Sequence, residues 1–192
     1  MPGELYKHTD EYVLITATDT TQKRLDDAIQ VTYPITKTVQ NGGANENLLL
    51  AVATPPRCRV YRSAVQSINN TTATKVAFNA ETYDSGGIFD SSTNYRCTPG
   101  IIGTYLLVAN VTFVAPVNDK QYVAVIRKNG TDITYSQIHG AGAAGNLTVV
   151  VSDIQYSDAD DYFEVWVYHN SGAAINLSGN QAYTFFAVHK LS

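Results

Sequence analysis

The sequence predicts an all-β chain, an antiparallel sandwich or jelly roll preceded by an N-terminal arm. Three observations lead there. From Cys58 to Lys190 short apolar runs recur with turn residues between them, no segment sustains a 3.6-residue period, and several runs are apolar on both faces. Composition agrees: of 192 residues, 44% are hydrophobic, 16% are charged and 13 are Tyr. Aromatic and β-branched residues suit a pleated surface, and Asn suits turns.

Residues 1–56 read as an arm or adaptor and residues 57–192 as the jelly-roll domain. In the arm, residues 12–17 form a strand and residues 20–29 a short helical turn capped by a Thr. Residues 31–39 alternate like an edge strand, because Pro34 cannot donate to a central ladder. Residues 41–45 are a turn, and the apolar run 48–52 ends at Pro55-Pro56. This segment is too small and too polar to fold alone, so it anchors to something else. Its anchoring side chains are expected to be Tyr12, Leu14, Tyr33, Leu48 and Leu50.

Beyond Cys58, strands are expected over residues 59–61, 74–78, 94–97, 104–113, 121–128, 132–138, 147–154, 162–168 and 183–190. The separators include Asn69-Asn70, Ser85-Gly86-Gly87, Pro99-Gly100 and Ser171-Gly172. Asn129-Gly130 between two alternating runs is a strong hairpin signal. In the run 104–113 one face carries Tyr105, Leu107, Ala109, Val111 and Phe113; the other carries Leu106 and Val108 before Asn110. A sheet wetted on one side alternates cleanly. These runs do not, so one sheet has its outer face covered, by the arm or by identical subunits.

Several function classes fall away. A net charge of −4 is wrong for a nucleic-acid partner, which needs a basic field. No apolar run nears the roughly 18 residues of a membrane span. The N-terminal residues lack the basic and apolar regions of a signal peptide, which gives the expectation of synthesis in a cytosol. Two cysteines, Cys58 and Cys97, are too few for a disulfide scaffold and are expected reduced and partly buried; whether they approach one another stays open.

Residues that resemble catalytic or metal motifs lack the context those motifs need. Residues 140–145 spell GxGxxG, yet a strand follows where a dinucleotide fold needs a helix. The four histidines have no metal-ligand spacing, and His169 beside Asn170 is the one to watch as a binding residue. Asp153, Asp158, Asp160 and Asp161 lack the tight-turn glycine of a calcium loop and read as solvated turn carboxylates. Trp166 reads as a core or interface tryptophan, with an exposed platform for a sugar as the sharper alternative. No catalytic residue and no cofactor is assigned.

Several pieces, taken in order, resemble the C1q/tumour-necrosis-factor-like jelly-roll family, and its bacterial and bacteriophage branch in particular. They are Ala64-Val65-Gln66-Ser67-Ile68 with Asn69-Asn70-Thr71, Val76-Ala77-Phe78-Asn79 with Tyr83-Asp84, and Gly87-Ile88-Phe89-Asp90. Gly103-Thr104-Tyr105, Arg127-Lys128-Asn129-Gly130 and the stretch from Asp161 to Gly172 follow. The chain departs from the family at Asp160-Asp161, where Gly-Asp is usual, and it shows no collagen-like stem. The resemblance implies a ten-stranded jelly roll in a tight homotrimer that acts as a binding head. The trimer interface is expected at Tyr105, Leu107, Tyr122, Ala124, Tyr183 and Phe185, and the exposed loop residues at Asn70, His139, Asn146, His169 and Asn170.

The expected function is therefore that of a non-enzymatic structural protein of a bacteriophage virion, made in the host bacterial cytoplasm. It would be a homotrimeric capsid decoration protein, of the cement or head-knob kind, partnered by its own copies and by the major capsid or other virion proteins. The alternative is the receptor-binding tip of a tail fibre or spike, recognising a host surface glycan or protein. A hydrolase of polysaccharide needs two carboxylates across a cleft, and no such pair is visible.

Overall fold

Alternating apolar residues make the strands, and the pairing of those strands decides which residues are buried. The computed structural model describes residues 12–13, 23–24, 31, 35–40, 47–140 and 145–192, and among them every regular element is a strand. The chain divides into two units, residues 1–54 and 55–192.

In the first unit, β1 (Tyr12–Val13) pairs antiparallel with β2 (Lys23–Arg24). The helical turn expected over residues 20–29 is thereby overturned at Lys23 and Arg24; a capping Thr is a local signal, and the competing cross-strand partner lies ten residues away. β3 (Ile35–Gln40) pairs with β4 (Asn47–Val52), with Ile35 opposite Val52 and Val39 opposite Leu48. Leu50 is 51% exposed. The expected anchors Leu14 and Tyr33 and the turn 41–45 lie outside the described residues.

The second unit is an antiparallel sandwich. Its front sheet holds β5 (Arg57–Tyr61), β6 (Gln66–Ile68), β8 (Ala80–Ser85), β11 (Gly103–Val114), β14 (Asn146–Ser157), β16 (Ile175–Leu177) and β17 (Phe185–Lys190). Strand β11 is central: β14 lies on one side, and β17, then β5 and β8, on the other, with β16 and β6 continuing past its end. The back sheet runs β13 (Thr131–His139), β12 (Gln121–Lys128), β15 (Phe163–His169), β10 (Arg96–Cys97), β9 (Phe89–Asp90), with β7 (Thr74–Lys75) also on β15. Asn129 and Gly130 both take positive φ, 52° and 79°, as the tight β12–β13 hairpin requires. Strands β6, β8, β9 and β16 were not foreseen: they fall in stretches rich in turn residues and draw order from their neighbours.

The core lies between the sheets. Phe78 stacks on Phe186 at 6.2 Å and meets Phe89 edge-on at 6.5 Å, while Phe113 packs on Tyr122 at 5.0 Å. Tyr105, Leu107, Tyr122 and Ala124 belong to this core and are fully buried within one chain. They cannot form the subunit interface expected of them. A strand apolar on both faces does not say which face turns inward, and the sandwich takes the more continuously apolar one. Tyr183 and Phe185, the other two expected interface residues, do reach the surface, Tyr183 being 48% exposed.

Truncating the aromatic stack tests this core. Phe186→Ala should destabilise the protein by about 3–5 kcal/mol in urea unfolding; a loss under about 1 kcal/mol would mean that the stack is not buried as described.

Candidate interaction face

The front sheet has a second, outward face, and register lays it out in rows. Residues directly opposite in a ladder point to the same side. Ile154, Leu106, His189 and Arg57 form one row; Ser152, Val108, Ala187, Arg59 and Tyr83 the next; Val150, Asn110, Phe185 and Tyr61 a third. Tyr156 opposite Thr104 closes the edge. On β14, β11 and β17 these outward positions contain no Asp, Glu, Lys or Arg. Val150, Ile154 and Tyr156 are more than half exposed. Cations appear only on β5, where Arg59 lies 4.2 Å from the centre of the Phe185 ring and donates to Thr82 and to the Gln181 carbonyl. The face is apolar at its centre and polar at one rim.

Sequence reasoning did not single out Leu106, Val108, Val150, Ile154 and Tyr156 as candidates for this face. The signal was present: Thr104 and Asn110 interrupt the even face of β11, whereas the odd face is apolar from Tyr105 to Phe113.

The expected loop residues fare differently. His139 ends β13, opposite Gln121, and Asn146 opens β14; both are exposed. Asn70 accepts the Gly172 N–H at 2.8 Å, and Asn170 accepts the Gln121 N–H at 2.8 Å, so both side chains stitch the end of the sandwich. His169 is fully buried, contrary to expectation. It ends the inward series Phe163, Val165, Val167 on β15 and stacks on Tyr122 at 6.1 Å. Its Nδ1 lies 3.3 Å from the Ser171 backbone N–H, which can only donate, so Nε2 carries the proton and donates to the Ile68 carbonyl at 3.0 Å. This histidine is a structural tie, and period-two counting along β15 finds it.

On the back sheet's outer face, Trp166 is half-buried and sits in a charged frame. Arg127 lies 4.1 Å and Lys75 5.6 Å from its ring centre, its Nε1–H donates to Glu164 at 2.8 Å, and Lys75 pairs with Glu164. Tyr135, 70% exposed, shares a row with Val125 and Trp166. Of the acidic cluster, Asp161 is buried and not solvated as expected. It takes the Lys128 ammonium at 2.7 Å, the Asn129 amide at 2.6 Å and the Asp158 N–H at 2.7 Å. Among the described residues no group of three His, Cys, Asp or Glu converges on a metal-sized site.

Solved structures share the architecture. Murine APRIL at pH 5.0 superposes with a TM-score of 0.54 at 15% identity, covering 71% of this chain and 98% of its own. The Eiger TNF of S. frugiperda gives 0.54 at 8% identity, covering 72% of this chain and 94% of its own. The globular domain of the zebrafish complement 1qA protein gives 0.53 at 16% identity, with 71% and 98% covered. No family model and no curated protein matches the sequence. The fold is a C1q/TNF-like jelly roll.

The Lys128 ammonium and the amide donors hold the Asp161 carboxyl down from 3.8 to about 2. A depressed folded-state value stabilises above the unfolded value and is lost as pH falls through the folded one. Asp161→Asn should therefore lower stability near neutral pH and flatten its decline between about pH 4 and 2. Urea unfolding across that range checks this, and an unchanged slope would mean that the carboxylate is not held as described.

Proposed function

We propose that this chain is a non-enzymatic, self-associating jelly-roll knob that works as a homotrimer on a bacteriophage particle. The observation that carries the self-association is the uncharged centre of the front sheet's outer face. Apolar area contributes roughly 25 cal/mol per Å² when removed from water, and a face of this kind in water is an aggregation liability. Three copies around a three-fold axis bury it and close without leaving an open end. The virion role is supported by the resemblance of the ordered motif pieces to the bacteriophage branch of the family. It is supported too by the β3–β4 hairpin, whose Ile35, Leu50 and Val52 are each more than two-fifths exposed. A capsid decoration protein needs such an anchor beside its knob, and it stabilises a shell by adding contacts only to the assembled state.

The receptor-tip reading has one observation of its own. The Trp166, Tyr135 and Arg127 surface on the back sheet points away from the self-association face, and aromatic rings with flanking cations suit a glycan.

Light scattering after size exclusion should give a mass near three chains. Leu106→Arg, which places a charge on each copy's outward face, should reduce the mass to one chain while the far-ultraviolet strand signal persists. Tyr135→Ser should leave the mass unchanged. A wild-type monomer would remove the trimer and the virion role built on it. Removing residues 1–54 should preserve the oligomer and abolish binding to empty capsids; retained capsid binding would place the anchor on the jelly roll instead. Binding of the intact trimer to host-surface glycans, with none to capsids, would favour the receptor tip.

A further inference from the structure

The only two cysteines of the chain, 39 residues apart in sequence, meet in the core. Cys58 is on β5 of the front sheet, Cys97 on β10 of the back sheet, and their sulfurs lie 3.8 Å apart as free thiols. Both are fully buried.

Their surroundings are built to hold them face to face. Cys58 is paired with Asp84 across β5–β8, and Cys97 with Phe89 across β10–β9. Residues 84 to 89 are the crossover between the sheets. The Asp84 carboxylate pins that crossover by accepting the Ile88 and Phe89 N–H groups, each at 3.0 Å, and Thr98 N–H closes it on the Ile88 carbonyl at 2.7 Å. The sheets are thus tied together beside the two sulfurs. A disulfide needs its sulfurs at about 2.05 Å, so closing the bond requires the two sulfurs to approach from 3.8 Å.

We propose that Cys58 and Cys97 are a cross-sheet disulfide site, open in a reducing compartment and closed when the chain folds or re-forms this corner in the presence of a small-molecule disulfide. One thiolate attacks a sulfur of the small disulfide, breaks its S–S bond and releases one small thiolate. The resulting mixed disulfide is attacked by the second cysteine, which forms the protein S–S bond and releases the other. The two protein thiol protons end on the two small thiols, and the two electrons lost by the cysteines reduce the small disulfide. Burial disfavours the Cys97 thiolate, so exchange is slow in the closed sandwich and fast while the corner is open.

The bond would tie down the least regular part of the jelly roll. The loop it closes contains β6, β7, β8 and β9, each of six residues or fewer. Cross-linking a loop of that length restricts the unfolded chain and raises the melting temperature.

The test uses the full chain, unfolded and refolded with oxidised or reduced glutathione. The oxidised sample should weigh about 2 Da less. Digestion should give a peptide joining Cys58 to Cys97, and the melting temperature should rise by roughly 10 °C, reverting in dithiothreitol. Cys58→Ser and Cys97→Ser should show neither change. An unchanged mass, glutathione adducts, disulfide-linked multimers, or a linked protein that melts no higher than the reduced one would each overturn the proposal. The reading of wild-type mass does not depend on either variant folding.

Discussion

The ladder between β11 and β14 is the constraint on which the rest of the jelly roll depends. It pairs Gly103 with Ser157 at one end and Val114 with Asn146 at the other, without a bulge. Side chains alternate strictly along such a ladder, so a slip of one residue would exchange its two faces completely. With the observed register, Tyr105, Leu107, Ala109, Val111 and Phe113 enter the sandwich. Leu106 and Val108 are then forced outward beside Val150 and Ile154. The outer apolar face is thus a consequence of filling the inner one with a strand that has few polar residues to spare.

Charge is placed where it does not compete with that face. Lys128, Asp161 and Asn129 close on one another at the end of the β12–β13 hairpin. Lys75 and Glu164 pair beside Trp166 on the back sheet. Asp90 accepts the N–H groups of Ser92, Thr93 and Asn94, which keeps its carboxyl well below the usual range and shapes a turn. Each of these three carboxylates has donors close at hand. The uncharged outer rows of β14, β11 and β17 are therefore available for contact without desolvating an ion, the costliest step in forming an interface.

The fold class was legible in the sequence because turn chemistry and alternation are local. Asn129-Gly130 announced its hairpin, and residues 121–128 proved to be a strand over the same span. The short strands were less legible: Ala80–Ser85 and Ile175–Leu177 carry polar residues and are strands because β5, β6 and β11 lie beside them. Inside and outside were misread on β11 and β12, where both faces are apolar and only tertiary pairing chooses. His169 was misread for a different reason. A histidine before Asn-Ser-Gly suggests a loop, yet the parity of Phe163, Val165 and Val167 carries it into the core. The approach of Cys58 to Cys97 could not be read at all, since two cysteines in different sheets share no local pattern.

The two units of the chain meet the same difficulty at different scales. In the jelly roll, two sheets cover one another and leave a single apolar face over. Among the described residues the β3–β4 hairpin pairs with no further strand: a two-stranded ribbon is marginal in water, and Ile35, Leu50 and Val52 are exposed. The core of the jelly roll is complete within one chain. Among the described residues the hairpin contributes no side chain to a buried apolar cluster. That asymmetry fits the proposed division of tasks, with self-association on a preformed sheet face and anchoring on the hairpin.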